Sequence, residues 1–522
     1  MSEIIYIVIY LLVSTILAFF LGRYIYKVFV GERNILTKVL EPIEKCIYKV
    51  LKIDKKDDMT VSQYIIAIFS LMIVSFIVLF SMIILQQFFL EDLERLTISN
   101  AFHIAVSFIT NTNLQNYVPE IHISDLVQVL GISIQQFLSA SMGIAVLFVL
   151  IRGLISKGKN ILGNFYKDIT RIILYILLPL CLIVGILLSA NGVMQGISEN
   201  KKGVTLSPIA SSVAIKQLGT NGGGMTSLNS TGVIENPNER TNYIEMVSML
   251  LIPMALVFMF GHAIKNQKQS LLIFIVMLTL IAVAIFTIFY VEMQSLELEV
   301  KDIANISIWS AVTTGTSNGS INYDISKLSP ISTFVMLMLM GIGEVAFGGV
   351  GSGLYTMILF VILTVFIAGL MIGKTPEYLH KKIDVYDMKM VLIAIIGVPF
   401  TILIFSSIYY IYELISNTNV TNFVQILYYF FSAGANNGSS LGTINNTVAN
   451  VLTALTMLIG RVLPIYAVLK LADNFSQKKY VAENVGTLST STVVFGVMLI
   501  VIVVVIGGLS FLPALVLGPL AS

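Results

Sequence analysis

Gly219-Thr220-Asn221-Gly222-Gly223-Gly224 closes a short apolar segment, turns polar and glycine-rich, and is followed by a long hydrophobic span. Three more clusters stand in the same setting: Thr110-Asn111-Thr112-Asn113, Ser317-Asn318-Gly319-Ser320 and Asn436-Asn437-Gly438-Ser439. Taking Asn111, Asn221, Asn318 and Asn437 as centres, the intervals are 110, 97 and 119 residues, too long for a solenoid repeat. The period suits a unit of spanning helix, re-entrant half-helix, extended strand and second spanning helix, repeated four times about one axis. An isolated Asn-Gly is only a turn signal. Four copies, each after a non-spanning apolar segment and before a spanning one, favour a fourfold ring.

Composition sets the solvent. With 56% hydrophobic and 11% charged residues and a mean hydropathy of +0.90, the 522 residues exclude a water-soluble domain. The expected fold is an all-α polytopic membrane protein. Runs long enough to cross about 30 Å of hydrocarbon lie near 4–24, 62–87, 130–151, 172–190, 243–261, 270–290, 331–372, 390–412, 448–469 and 490–512. These give ten transmembrane helices if 331–372 is one interrupted span. Four pore repeats then occupy 61–157, 158–264, 265–375 and 376–472, preceded by a first helix and basic segment at 1–60 and followed by a last helix at 473–522.

Lys and Arg sort onto alternate loops. The segments 23–56, 152–171, 265–268, 374–389 and 470–479 hold 23 of the 31 basic residues. The intervening loops hold Arg95, Lys201, Lys202, Lys216, Arg240, Lys301 and Lys327. Positive-inside orientation places the first set in the cytoplasm, and both termini and all four clusters outside. Two spans in 331–372 would carry the lysines of 374–389 outside, so that division is rejected. The opening Met1-Ser2-Glu3 lacks a basic n-region, and the first span reads as retained. The basic loops point to anionic lipid rather than nucleic acid.

Ile303 to Thr313 is an apolar segment of 11 residues, too short to span, with Lys301 and Asp302 at its outer end. A half-helix entering there points its carbonyl end toward the membrane centre, where the dipole favours a cation. Equivalent segments are Leu96 to Ile109, Ser207 to Leu218 and Asn422 to Ser432. Irregular backbone at that depth is tolerated where it lines an ion or water path. The expected filter is Thr110, Asn111, Thr112, Thr220, Asn221, Gly222, Gly223, Ser317, Asn318, Gly319, Asn436, Asn437 and Gly438, with Thr112 at the glycine position of the first copy. No Asp or Glu lies in any cluster, which favours a monovalent cation over a divalent one. By analogy to filter architecture the ion is potassium.

Inside 331–372, the run Ile342-Gly343-Glu344-Val345-Ala346-Phe347-Gly348-Gly349-Val350-Gly351-Ser352-Gly353 cannot continue a lipid-facing helix. It reads as a broken helix gating the inner pore, with Gly348, Gly349 and Gly351 mobile and Glu344 facing a cavity; the other reading is close helix packing. Arg461 is the one basic residue no loop accounts for, expected to face the cavity near Glu344 or to snorkel to the inner interface. Cys46 and Cys181 form no disulfide framework and read as packing residues. The histidines His103, His122, His262 and His380 are expected near interfaces without ligand spacing.

The four clusters, the glycine-rich break and the loop Gly373-Lys374-Thr375-Pro376-Glu377-Tyr378-Leu379 together resemble the potassium-binding A subunit family (KdpA) of Kdp-type potassium-transporting ATPases. Asn113-Leu114-Gln115 extends the similarity, placing Gln115 near the filter, and Gly460-Arg461 carries it into the last repeat. The resemblance implies a subunit of a bacterial inner-membrane complex that takes up potassium. A P-type ATPase B subunit would hydrolyse ATP, with magnesium, beside a C subunit and a small single-span accessory subunit. The sequence agrees: it holds no phosphate-binding Gly-rich Lys loop and no cytoplasmic segment large enough for a nucleotide domain, so no catalytic site or cofactor is expected in this chain. A free-standing potassium channel or cation symporter of the same four-repeat superfamily is the alternative, and a non-transporting scaffold a third. Co-purification of an ATPase subunit separates them.

Overall fold

Ten helices long and apolar enough to cross a membrane occur among the described residues, at the places the hydrophobic runs predict. The computed structural model describes residues 2–53, 58–90, 93–157, 162–200, 203–371, 373, 375–416, 422–481 and 489–517. Lys55, Lys56, Lys159, Lys201, Lys202 and Lys374 lie outside the described residues.

Four short helices stand where non-spanning segments were expected: Ile98–Ile109, Ile209–Leu218, Val300–Gly315 and Phe423–Gly434. We call them pore helices one to four. Thr97 and Asn422 start the first and fourth by accepting the N–H groups of Asn100 and Val424. The third begins earlier than its apolar core, so Asp302 sits in its first turn, where the helix dipole stabilises a carboxylate. Each ends at its polar cluster.

Burial divides the spans into two layers. The span after each pore helix is internal: 83% of the central stretch of Val127–Ile155 is buried, 89% of Glu239–Ala263, 72% of Ser352–Met371 and 56% of Thr447–Gln477. The span before each pore helix is peripheral, from 28% for Val61–Phe89 to 44% for Phe165–Ala190 and Gln267–Ser295. Ser2–Val30 and the last span are peripheral too, at 22% and 33%. Small and hydroxylic residues such as Ser139, Ala140, Ser141 and Gly143 explain the inner position of their helix, because they permit close backbone approach and can hydrogen bond.

The third inner span is broken, as its glycines predict, into Pro330–Gly341 and Ser352–Met371. Two short antiparallel hairpins, Gly196–Asn200 with Gly203–Ser207 and Glu377–Tyr378 with Lys381–Lys382, add to the all-helical plan. The basic segment after the first span contains an amphipathic helix, Thr37–Val50. Cys46 is exposed on it, so it is not a packing residue, whereas Cys181 is buried. His103 also departs from expectation: it is fully buried in the first pore helix.

Lys381 ties the basic ends of two inner spans. Its Nζ donates to Gly153 O at 2.8 Å and to Phe475 O at 2.7 Å. Burial, assisted by Lys478, pushes its ammonium down to about 8. Above that value the folded chain holds fewer protons than an unfolded lysine, so the Lys381 contribution to stability rises from pH 8 toward the ordinary 10.5. Thermal stability in detergent should therefore climb more steeply between these limits than in Lys381→Met. Identical pH profiles would remove Lys381 as a cause.

Candidate functional site

The four clusters share one backbone geometry, and it corrects the register expected for the first. One residue in each donates its N–H to the carbonyl five residues back: Thr112 to Ser107 (2.9 Å), Asn221 to Lys216 (2.9 Å), Asn318 to Thr313 (2.9 Å) and Asn437 to Ser432 (2.8 Å). Each is flanked by left-handed residues: Asn111 and Asn113, Thr220 and Gly222, Ser317 and Gly319, Asn436 and Gly438. Thr112, not Asn111, is thus the counterpart of the central asparagines, and Asn113 takes the glycine position. Asparagine tolerates that conformation better than other residues with a Cβ, which is how a copy without glycine keeps the same turn.

The glycines bring the copies into contact. A Cβ on Gly222 would stand 1.8 Å from Asn318 O, one on Gly319 2.2 Å from Asn437 O, and one on Gly438 2.1 Å from Thr112 O. Each glycine therefore abuts the central carbonyl of the next copy around the ring. Between the first and second copies the contact is through side chains, Asn113 Nδ2 lying 3.4 Å from Asn221 Oδ1. All four central residues are fully buried. Among the described residues no hydrogen bond reaches the carbonyl oxygen of Thr112, Asn221, Asn318 or Asn437. Buried carbonyls without a donor are rare, and four in one ring form a set of ligands suited to a cation that sheds its water.

Some neighbouring carbonyls are tied down, whereas those of Asn111, Asn113, Ser317, Gly319 and Gly438 show no donor among the described residues. Thr220 O accepts from Asn111 Nδ2 (2.9 Å) and Asn436 O from Ser317 Oγ (2.9 Å). Three amides hold the glycine strand: Asn229 on Gly222 O (2.8 Å), Gln136 on Gly223 O (2.9 Å) and Gln115 on Gly224 O (2.9 Å). Gln115 Oε1 also accepts the Gly224 N–H, so this amide holds both backbone groups of Gly224. The central asparagines reach back to the preceding pore helix, Asn318 Nδ2 to Lys216 O (3.1 Å) and Asn437 Nδ2 to Thr313 O (3.0 Å). Thr110 lies behind the first copy, its Oγ1 2.7 Å from that of Thr112.

The broken span passes directly beneath. Gly348 N donates to Gly315 O (2.9 Å) at the carbonyl end of pore helix three, and Val350 N to Thr220 Oγ1 (3.1 Å). A Cβ on Gly351 would lie 2.2 Å from Gly143 O, and one on Gly349 3.4 Å from Ser317 Cβ. Gly349 and Val350 thus lie against the second and third clusters. Glu344 and Arg461 line one cavity of about 80 Å³, with Ser317, Asn436, Tyr355 and Phe511.

The expected closeness of Glu344 and Arg461 holds only as a shared cavity. No ion pair joins them among the described residues. Glu344 Oε1 lies 3.5 Å from Asn437 Nδ2, and Arg461 Nη2 donates to Ser139 O at 3.0 Å. Each charge is met by a neutral dipole on a different inner surface. Arg461 is 5% exposed, which sets aside snorkelling. Lys216 was counted with the outer loops but lies fully buried in the last turn of pore helix two, against Glu235 and Glu245. Its position four residues before Thr220, as the one charged residue of the half-helix, is the available signal.

Four re-entrant helices ending on a ring of unpaired carbonyls, enclosed by four inner spans, define a multi-pass membrane protein built around an ion filter. The chain belongs to the potassium-transporting ATPase A subunit family (KdpA), whose model matches residues 8–522. It is 42% identical over 563 residues to the potassium-transporting ATPase potassium-binding subunit of Clostridium botulinum (strain Alaska E43 / Type E3), covering 98% of this chain and 97% of the relative. The subunit of the same description from Listeria monocytogenes serotype 4b (strain CLIP80459) is 42% identical over 540 residues, covering 97% and 96%. The fold is similar to that of the potassium transporter TrkH from Vibrio parahaemolyticus, with a TM-score of 0.52 and 13% identity over 73% of this chain and 80% of that one.

Proposed function

We propose that this chain binds potassium from the outer side of a bacterial inner membrane and passes it inward, as the ion-selective subunit of an ATP-driven uptake complex. The observation that carries this reading is the ring of four buried, undonated carbonyls of Thr112, Asn221, Asn318 and Asn437. Its neutral oxygens replace the hydration shell of a monovalent cation, and the carbonyl ends of four pore helices add a favourable potential. Both chain ends lie outside in this reading, following the basic loops. ATP and magnesium belong to a P-type B subunit, with a C subunit and a small single-span subunit completing the complex. Family membership over residues 8–522 favours this over a free-standing channel or symporter.

The test is the complex purified from native membrane. An ATPase subunit should co-purify, and its ATP hydrolysis should require potassium in preference to sodium. Hydrolysis indifferent to the ion, or a chain that conducts potassium alone with no partner, overturns the proposal.

Arg461 serves as an electrostatic barrier beneath the ring. Repulsion between unit charges about 8 Å apart is roughly 2 kcal/mol at an effective dielectric near 20, enough to slow a cation more than tenfold. Arg461→Gln should therefore raise passive potassium flux in liposomes about tenfold. Glu344→Gln should offset part of that rise, because both charges set the potential of one cavity. No change of flux in Arg461→Gln, or a further rise when Glu344→Gln is added to it, would show that these charges do not set the barrier.

A further inference from the structure

The residue five before each central position is Ser107, Lys216, Thr313 or Ser432, and three of the four are hydroxylic. Each hydroxyl holds its own strand directly. Ser107 Oγ donates to Leu114 O (3.2 Å), Thr313 Oγ1 to Ser320 O (2.7 Å), and Ser432 Oγ accepts from Gly438 N (2.9 Å). The second copy is different. Its strand is Gly222-Gly223-Gly224, with no side chain to anchor it, and the hydroxyl is replaced by a lysine that reaches past it.

Lys216 Nζ lies 2.6 Å from Glu235 Oε2 and 3.8 Å from Glu245 Oε2, and all three side chains are fully buried. It donates to Asn229 Oδ1 (2.9 Å) and Ser230 Oγ (2.6 Å). Because the lysine takes the Asn229 oxygen, the amide nitrogen must face the other way, and it donates to Gly222 O at 2.8 Å. Glu235 Oε1 meanwhile accepts Thr226 N (2.8 Å) and Thr226 Oγ1 (2.9 Å), holding the returning chain. The same carboxylate packs on the strand, 2.6 Å from where a Cβ of Gly224 would stand. Ser230 Oγ and Gln217 Nε2 donate to Glu245 Oε2 at 2.6 and 2.7 Å, which closes the network against the inner span Glu239–Ala263.

We propose that Lys216 and Glu235 are positioning residues for ion selection: through Asn229 they fix the Gly222 carbonyl away from the ring and so hold Asn221 O in place as a ligand. This rests on the carbonyl ring being the potassium site. A buried ammonium does here what a hydroxyl does in the other copies, because a triple-glycine strand needs its restraint from outside.

The experiment measures potassium-dependent ATP hydrolysis, with rubidium and sodium as competitors, in the full purified complex. Lys216→Met should weaken apparent potassium affinity about tenfold, the worth of one charge-assisted hydrogen bond, and narrow discrimination against rubidium, while the maximal rate stays within about threefold. Asn229→Ala, which leaves the charge pair in place, should shift affinity in the same direction. Lys216→Met combined with Glu235→Gln removes the nearer of the two buried carboxylates left without their cation and should recover part of the yield and thermal stability without recovering affinity. It carries the test if the single variant fails to assemble. Wild-type affinity and discrimination in the double variant, or in Asn229→Ala, overturns the proposal. Gly222→Ala is the control for the underlying reading: if it alters ion dependence and the Lys216 variants do not, the ring stands and the positioning role falls. If neither does, the ring itself is not the site.

Discussion

Gly222→Ala is expected to weaken apparent potassium affinity by about tenfold to a hundredfold, equivalent to roughly 1.4 to 2.8 kcal/mol. Two effects act together. Gly222 has φ +77°, a conformation that costs a residue with a Cβ about 1 to 2 kcal/mol. The added carbon would also lie 1.8 Å from Asn318 O, so that carbonyl must rotate or the strand must retreat. The loss falls on a ligand of the ring, so discrimination against sodium and rubidium should narrow as affinity falls. Gly373→Ala separates strain from contact, because Gly373 has φ +68° with nothing within 4 Å of its would-be Cβ. That control should leave ion dependence unchanged. Potassium titration of ATP hydrolysis in the purified complex decides it, and wild-type affinity with unchanged discrimination in Gly222→Ala would remove this glycine from the filter.

Deleting Gly348 to Gly351 should increase passive potassium flux through the subunit. The loop is held to the ring by Gly348 N on Gly315 O and Val350 N on Thr220 Oγ1, both made by backbone and both lost in the deletion. Without it the carbonyl end of pore helix three faces the cavity directly, and the constriction under the ring opens. Flux in liposomes containing the complex should rise at least about tenfold, as for a barrier lowered by about 1.4 kcal/mol. A deletion that assembles but leaves flux and coupling unchanged would favour simple packing, for which the close approach of Gly351 to Gly143 O gives a basis.

Much of this was legible in sequence because lipid allows few solutions. A backbone that cannot hydrogen bond to its solvent must be helical wherever it crosses, so apolar length located all ten spans. The same rule made Ile303 to Thr313 a half-helix and Gly343 to Gly353 a break, since neither is long or regular enough to cross. Other features had no local signal. The one-residue shift of the first cluster follows from a hydrogen bond between Thr112 and Ser107 and from Asn113 adopting a glycine-like φ; pattern matching on asparagine pointed to Asn111 instead. Charge composition put Glu344 beside Arg461, but side-chain direction gave each its own dipole partner. Lys216 stood out as the one charge of its half-helix, but linear position does not reveal the carboxylates of Glu235 and Glu245 that fold over it. Hydrophobic periodicity and length are properties of a segment, and the segment carries them wherever it goes. Which spans lie inside, which carbonyls stay undonated and which copy precedes which around the ring are relations between segments, set only when the four repeats close.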